Sequence, residues 1–92
     1  MMKSLRYSTR ARKDLKKYRN QPQKMRRLFA VIEMLLKGEK LPPSFRKHEL
    51  SGRYAGALEC HIENDFLLIW EDEDNNCIYI LRLGSHSELF NS

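Results

Sequence analysis

Apolar positions change their spacing twice along the chain, and each change marks a new element. In Lys3 to Tyr7 the apolar Leu5 and Tyr7 stand two apart, the period of a strand with one covered face. Ser8 or Thr9 is placed to cap a helix that follows. In it Ala11, Leu15 and Tyr18 recur at i, i+4 and i+7, a narrow apolar stripe on an otherwise cationic cylinder. Asn20-Gln21-Pro22 interrupts that stripe, and Pro22 suits the first turn of a second helix. Met25, Leu28, Phe29, Ile32, Leu35 and Leu36 then keep helical spacing until Gly38, which predicts a core-facing helix closed by a C′ glycine.

Leu41-Pro42-Pro43 is a stiff connector, and Ser44 to Arg53 predicts irregular chain. From Tyr54 the period becomes two: Leu58, Cys60 and Ile62 alternate with Ala57, Glu59 and His61. Glu63-Asn64-Asp65 has turn chemistry, Phe66 to Trp70 is a dense apolar strand, and Asp72 to Asn76 is a second turn. Cys77 to Leu83 is the last strand, and Ser85 is placed to cap a short final turn through Phe90. The order β-α-α-β-β-β, with short loops between the last three strands, predicts an α+β domain over residues 1–92. Two N-terminal helices should pack on one face of a small antiparallel sheet.

Ninety-two residues support one modest core. The longest apolar run, Phe66 to Trp70, is far below the roughly 20 residues of a membrane-spanning helix. Met1 to Asn20 carries many Lys and Arg and has no apolar stretch of the secretory kind, so a cytoplasmic location is expected. Cys60 and Cys77 lack metal-ligand spacing and read as buried free thiols, with a disulfide as the alternative. The 17 Lys and Arg against 12 Asp and Glu give a net charge of +5, unevenly placed. The basic excess lies in residues 1–47 and the acidic excess in 48–92. A basic half suggests a polyanionic partner, although solvated helix faces would look the same.

Three histidines then change the picture. His61 ends one strand and His86 follows another, while His48 lies in the connector. In a regular meander the tip near Asp65 and the end of the strand carrying Arg82 fall on one side of the sheet, so His61, Asp65, Arg82 and His86 can converge. Histidine can take or give a proton near neutrality. Arginine can bind phosphate oxygens, and Phe66 or Phe90 can stack on a base. That set suits cleavage of an RNA phosphodiester. Each residue also has a plain structural reading: a surface histidine, a turn-capping Asp65, an Arg82 paired with Glu59 or Glu63, a core Phe66.

The blocks Lys47-His48-Glu49-Leu50-Ser51-Gly52, Glu59 to Trp70 and Arg82 to Phe90 resemble YafQ-type toxins of bacterial type II toxin–antitoxin systems, in the RelE/ParE superfamily. The resemblance implies a ribosome-dependent endoribonuclease acting on mRNA. No cofactor is expected, and a metal held by His61 and Asp65 is a lesser alternative, because that pair sits at a turn without a ligand spacing. The resemblance also implies a cognate antitoxin, through which the complex would bind operator DNA. By position it assigns catalysis to His48, His61, Asp65, Arg82 and His86. His86 would be the general acid or a phosphate ligand, Asp65 with His61 or His48 would activate the 2′-hydroxyl, and Arg82 would hold the phosphate. Phe66, Phe90, Lys47, Lys13, Lys16 and Lys17 would bind mRNA or ribosomal RNA. Leu58 stands where relatives can carry Arg, and Phe66 where Trp is common. Two other classes remain open: a ParE-like inhibitor that binds DNA gyrase, and an RNA-binding module without catalysis.

Overall fold

The computed structural model describes residues 2–90. The elements are β1 (Ser4–Tyr7), α1 (Thr9–Tyr18), α2 (Pro22–Leu36), β2 (His48–Glu49), β3 (Leu58–Glu63), β4 (Phe66–Glu73), β5 (Cys77–Gly84) and α3 (His86–Phe90). Single 3₁₀ turns occur at Pro43–Phe45 and Gly52–Tyr54. The strands form one sheet in the order β1-β5-β4-β3-β2. β3, β4 and β5 make the expected antiparallel meander.

Two features go beyond that expectation. β1 pairs with β5 in parallel, so the sheet is mixed rather than wholly antiparallel. A parallel neighbour needs a long connection, and residues 8–76 supply it: α1 and α2 carry the chain to the far edge of the sheet, and β3 and β4 bring it back to β5. The second feature is β2, a two-residue strand inside the segment expected to be irregular. It pairs antiparallel with β3 and sets His48 opposite Glu59.

Ser8 caps α1 by accepting from the Ala11 N–H at 2.9 Å, and its hydroxyl donates to the Leu81 carbonyl at 2.7 Å. One side chain thus starts the helix and ties it to β5. Pro22 sits in the first turn of α2. Beyond the helix end, Gly38 adopts φ +72° and donates to Leu35 O, while Glu39 donates to Met34 O. This is the Schellman closure, and its left-handed residue favours glycine.

The sheet divides two apolar layers. On one face Ala11 and Tyr18 of α1 and Leu28, Val31, Ile32 and Leu35 of α2 pack on Cys60, Ile62, Phe66, Leu68, Trp70, Ile78, Ile80 and Leu83. Phe29, placed in the core stripe by spacing, is instead 48% exposed; Val31 takes an inward position. On the other face Ala57, Leu67, Ile69 and Leu89 form a smaller layer under Leu50, Tyr54 and Leu81. Both cysteines are free and buried.

α3 has only five residues, too few to persist without help. Ser85 and Glu88 close it as a capping box: the Glu88 N–H donates to Ser85 Oγ, and the Ser85 N–H donates to Glu88 Oε1. Glu88 is also held from α1 by the Tyr18 hydroxyl and by Lys17 Nζ at 2.9 Å. Burial works against its ionisation, but those donors prevail and bring the carboxyl down to about 2. Gly84 enters this corner with φ +149°, where a Cβ would stand 2.6 Å from Glu88 Oε1. Gly84→Ala is therefore expected to cost about 1–3 kcal/mol through backbone strain alone. Urea unfolding checks it, and a midpoint equal to the parent's would refute it.

Candidate active site

β2 and β3 build the first half of the site. His48 stands opposite Glu59 across the ladder, and His61 follows Glu59 by two on β3, so the three share the face turned away from α1 and α2. Their β4 neighbours on that face are Ile69, opposite Glu59, and Leu67, opposite His61. Nε2 of His48 lies 3.2 Å from Glu59 Oε1, and Nε2 of His61 lies 4.0 Å from the same oxygen. Nδ1 of His48 is 2.9 Å from the Arg46 carbonyl. A carbonyl only accepts, so Nδ1 carries the hydrogen.

The β3–β4 turn and α3 build the second half. Asp65 Oδ1 accepts from the His86 backbone N–H at 2.8 Å and meets His86 Nδ1 at 2.7 Å. A carboxylate on Nδ1 fixes the ring's orientation and tautomer and leaves Nε2 for a substrate. The His86 backbone N–H, followed by its ring, holds the Asp65 carboxyl below its ordinary value. The His61 and His86 rings are 5.6 Å apart. The side chains thus run in a row along one rim: His48, Glu59, His61, His86, Asp65. The outer histidines are about half exposed, whereas Glu59 is 4% exposed.

The bacterial YafQ toxin family model, described as a toxin of type II toxin–antitoxin systems, matches residues 3–91. The chain belongs to the YafQ toxin family. It is 28% identical over 91 residues to the mRNA interferase toxin YafQ of Escherichia coli K12, with 98% of each chain covered. The crystal structure of the E. coli DinJ-YafQ toxin–antitoxin complex superposes with a TM-score of 0.86 at 27% identity, covering 99% of this chain and 100% of that one. A metal-bound toxin from Helicobacter pylori gives 0.87 at 33% identity, covering 97% and 100%. Among the described residues of this YafQ relative, no three His, Cys, Asp or Glu side chains are grouped to hold a metal ion.

The other residues singled out from the sequence fall in several places. Arg82 is 7% exposed, and its partner is neither Glu59 nor Glu63. Its Nε and Nη2 donate to Asp14 of α1 at 2.8 and 3.1 Å. Asp14 Oδ2 also accepts from the Leu83 N–H. The reason is topological. β1 stops opposite Ile80, so the end of β5 has no β1 partner and α1 supplies one. Nη1 of Arg82 makes a long 3.4 Å contact with the Tyr54 hydroxyl, which in turn donates to the Leu89 carbonyl in α3.

Phe66 is fully buried and packs against Tyr18 in a tilted pair with centroids 4.9 Å apart, so it offers no face to a base and leaves the substrate-binding set. A residue within an unbroken apolar run belongs to the core by position. Phe90 is 44% exposed, edge-on to Tyr54. Lys13 and Lys16 are exposed on α1, while Lys17 is tied to Glu88. Lys47 lines a separate depression of about 370 Å³ with Lys3, Leu58 and Trp70, away from the histidines. A larger groove, about 940 Å³, runs past Lys24, Arg26 and Arg27 to Asp65. Two residues of consequence escaped the sequence reading. Glu59 could have been found from its place two before His61, and Asp14 as the lone acid on the inner face of a cationic helix.

Proposed function

We propose that this YafQ-family protein is an endoribonuclease that cleaves mRNA on the ribosome, held in check in the cytoplasm by a cognate antitoxin that also brings the complex to operator DNA. The observation that carries the reading is the Asp65–His86 pair at 2.7 Å beside His61, on an open rim. The E. coli relative named an mRNA interferase, and the solved complex of that toxin with its antitoxin, support the substrate and the partner.

The chemistry needs two proton transfers and positive charge. A base takes the 2′-hydroxyl proton as that oxygen attacks phosphorus, and an acid protonates the departing 5′-oxygen. His86, oriented by Asp65, presents Nε2 for the acid role. Arg82 has Nε and Nη2 committed to Asp14, so Nη1 is the edge that a phosphate oxygen would meet in place of the Tyr54 hydroxyl. Phe90 supplies a half-exposed ring for a base. Lys13 and Lys16 with Arg26 form the basic surface for ribosomal RNA.

Primer extension on a programmed ribosome tests the reading: a discrete new 5′ end at the ribosomal A site is expected, and full-length message alone would overturn it. Lys13→Glu with Lys16→Glu should weaken ribosome association and flatten its salt dependence by about 0.7–0.9 per lost phosphate contact. An unchanged slope would remove α1 from the binding surface.

A further inference from the structure

What holds His86 in place lies partly outside the row of side chains on the rim. Asp65 meets its backbone N–H at 2.8 Å and its Nδ1 at 2.7 Å, but both side chains of that pair stand open to water, where such a contact is worth little. α3 cannot hold the ring by itself, since five residues do not sustain a helix. Leu89, buried in the second apolar layer, and the Tyr54 hydroxyl on the Leu89 carbonyl fix the last turn of α3, three residues beyond the ring. The first turn, from which the ring departs, is fixed by Glu88.

The Glu88 carboxyl gathers donors from two elements. Oε1 accepts from the Tyr18 hydroxyl and from the Ser85 N–H at 2.8 Å, and Oε2 accepts from Lys17 Nζ at 2.9 Å. Ser85 immediately precedes His86, so the bond to its N–H sets the direction in which the chain enters the turn. Tyr18 is itself buried, with its ring against Phe66, so the tie ends in the rigid layer under α1. Gly84 leaves the space in which Oε1 reaches the Ser85 N–H, because a Cβ there would stand 2.6 Å from that oxygen. A buried hydroxyl, a glycine and a capping serine thus converge on one carboxyl that touches none of the histidines.

We infer that Glu88 is a positioning residue for cleavage: with Tyr18 it ties the first turn of α3 to α1 and so holds His86 against Asp65 with Nε2 turned to the substrate. The inference rests on the reading of His86 as the general acid. No proton passes through Glu88, and its part is geometric. The helix that carries the tie is also the one that offers Lys13 and Lys16 to ribosomal RNA. Docking surface and acid are therefore referenced to one rigid element. A ribosome seated on α1 meets His86 at a fixed distance, and a small displacement of a reacting group is costly in rate.

The test is nitrogen-15 NMR of the histidine rings, run beside steady-state cleavage on programmed ribosomes. In the parent the neutral His86 ring should carry its hydrogen on Nδ1, the nitrogen facing Asp65. In Glu88→Ala that tautomer should give way to a mixture, and kcat should fall roughly 10- to 100-fold, the scale on which misplacing a catalytic group acts. KM for programmed ribosomes should hold, because Lys13 and Lys16 keep their places. Tyr18→Phe keeps the ring on Phe66 and deletes only the hydroxyl. It should move both readouts in the same direction by a smaller step, and it carries the test if Glu88→Ala does not fold. A Glu88 that served only stability would lower the urea midpoint and leave the folded protein's tautomer and kcat alone. Parent values of both in a folded Glu88→Ala, or in Tyr18→Phe, would overturn the inference. Full cleavage by His86→Ala would instead refute the acid reading, while the Glu88→Ala spectra still report where the ring is held.

Discussion

Replacing His86 by alanine is expected to abolish growth arrest and to lower mRNA cleavage by about 10²–10⁴-fold, the usual worth of a general acid or base. The ring is about half exposed and its Nδ1 is bound to Asp65, so its removal leaves the sheet and both apolar layers untouched. The backbone N–H of His86 keeps its own bond to Asp65, and α3 stays capped. Ribosome association should therefore persist while product disappears. Single-turnover cleavage and sedimentation with ribosomes separate the two. Undiminished toxicity of the variant would remove His86 from the chemistry and with it the proposed mechanism.

Asp14→Ala is expected to produce the largest loss of stability, about 3–5 kcal/mol, because it strands a buried guanidinium and the Leu83 N–H together. The two side chains of the pair are only 9% and 10% exposed, so little water reaches the Nε and Nη2 edge that faces Asp14. Small domains have roughly 5–15 kcal/mol in all, and a chain of this size stands at the low end. Urea midpoints measure the loss. The sign of the second substitution decides the cause. Removing both charges, as Asp14→Leu with Arg82→Leu, should restore much of what Asp14→Ala loses, since an apolar pair leaves nothing uncompensated. A single variant as stable as the parent would show that the pair contributes nothing to the fold.

How much was legible in the sequence follows from which forces act locally. α2 and the meander were readable because their signals are periodic: Leu28, Ile32 and Leu35 mark one helix face, and Cys60 and Ile62 mark one strand face. Caps were readable too, since Ser8, Gly38 and Ser85 each act within four residues of their own positions. The parallel seat of β1 was not readable, because its partner lies more than 70 residues away and any exposed edge would satisfy the same pattern. β2 was missed because a strand of two residues has no period. The histidine cluster was half readable. Turn connectivity brought Asp65 beside His86, but it could not show that Asp65 binds His86 rather than His61 or His48. Arg82 kept its position and changed its company, since the lone acid of α1 reached it from an element that local reasoning never placed there. Phe66 was placed by its neighbours: inside five consecutive apolar residues, burial takes both sheet faces.

The division of the sheet has a consequence for how such a gene fails. One face holds nearly all of the large apolar layer and the other holds the row of titratable groups. Lesions under α1 and α2 take away the protein itself. Lesions along the rim take away only its effect and leave a full complement of folded, harmless chains still able to occupy whatever recognises the fold. A population that escapes such a toxin by mutation therefore divides into cells that have lost the molecule and cells that carry it as a decoy.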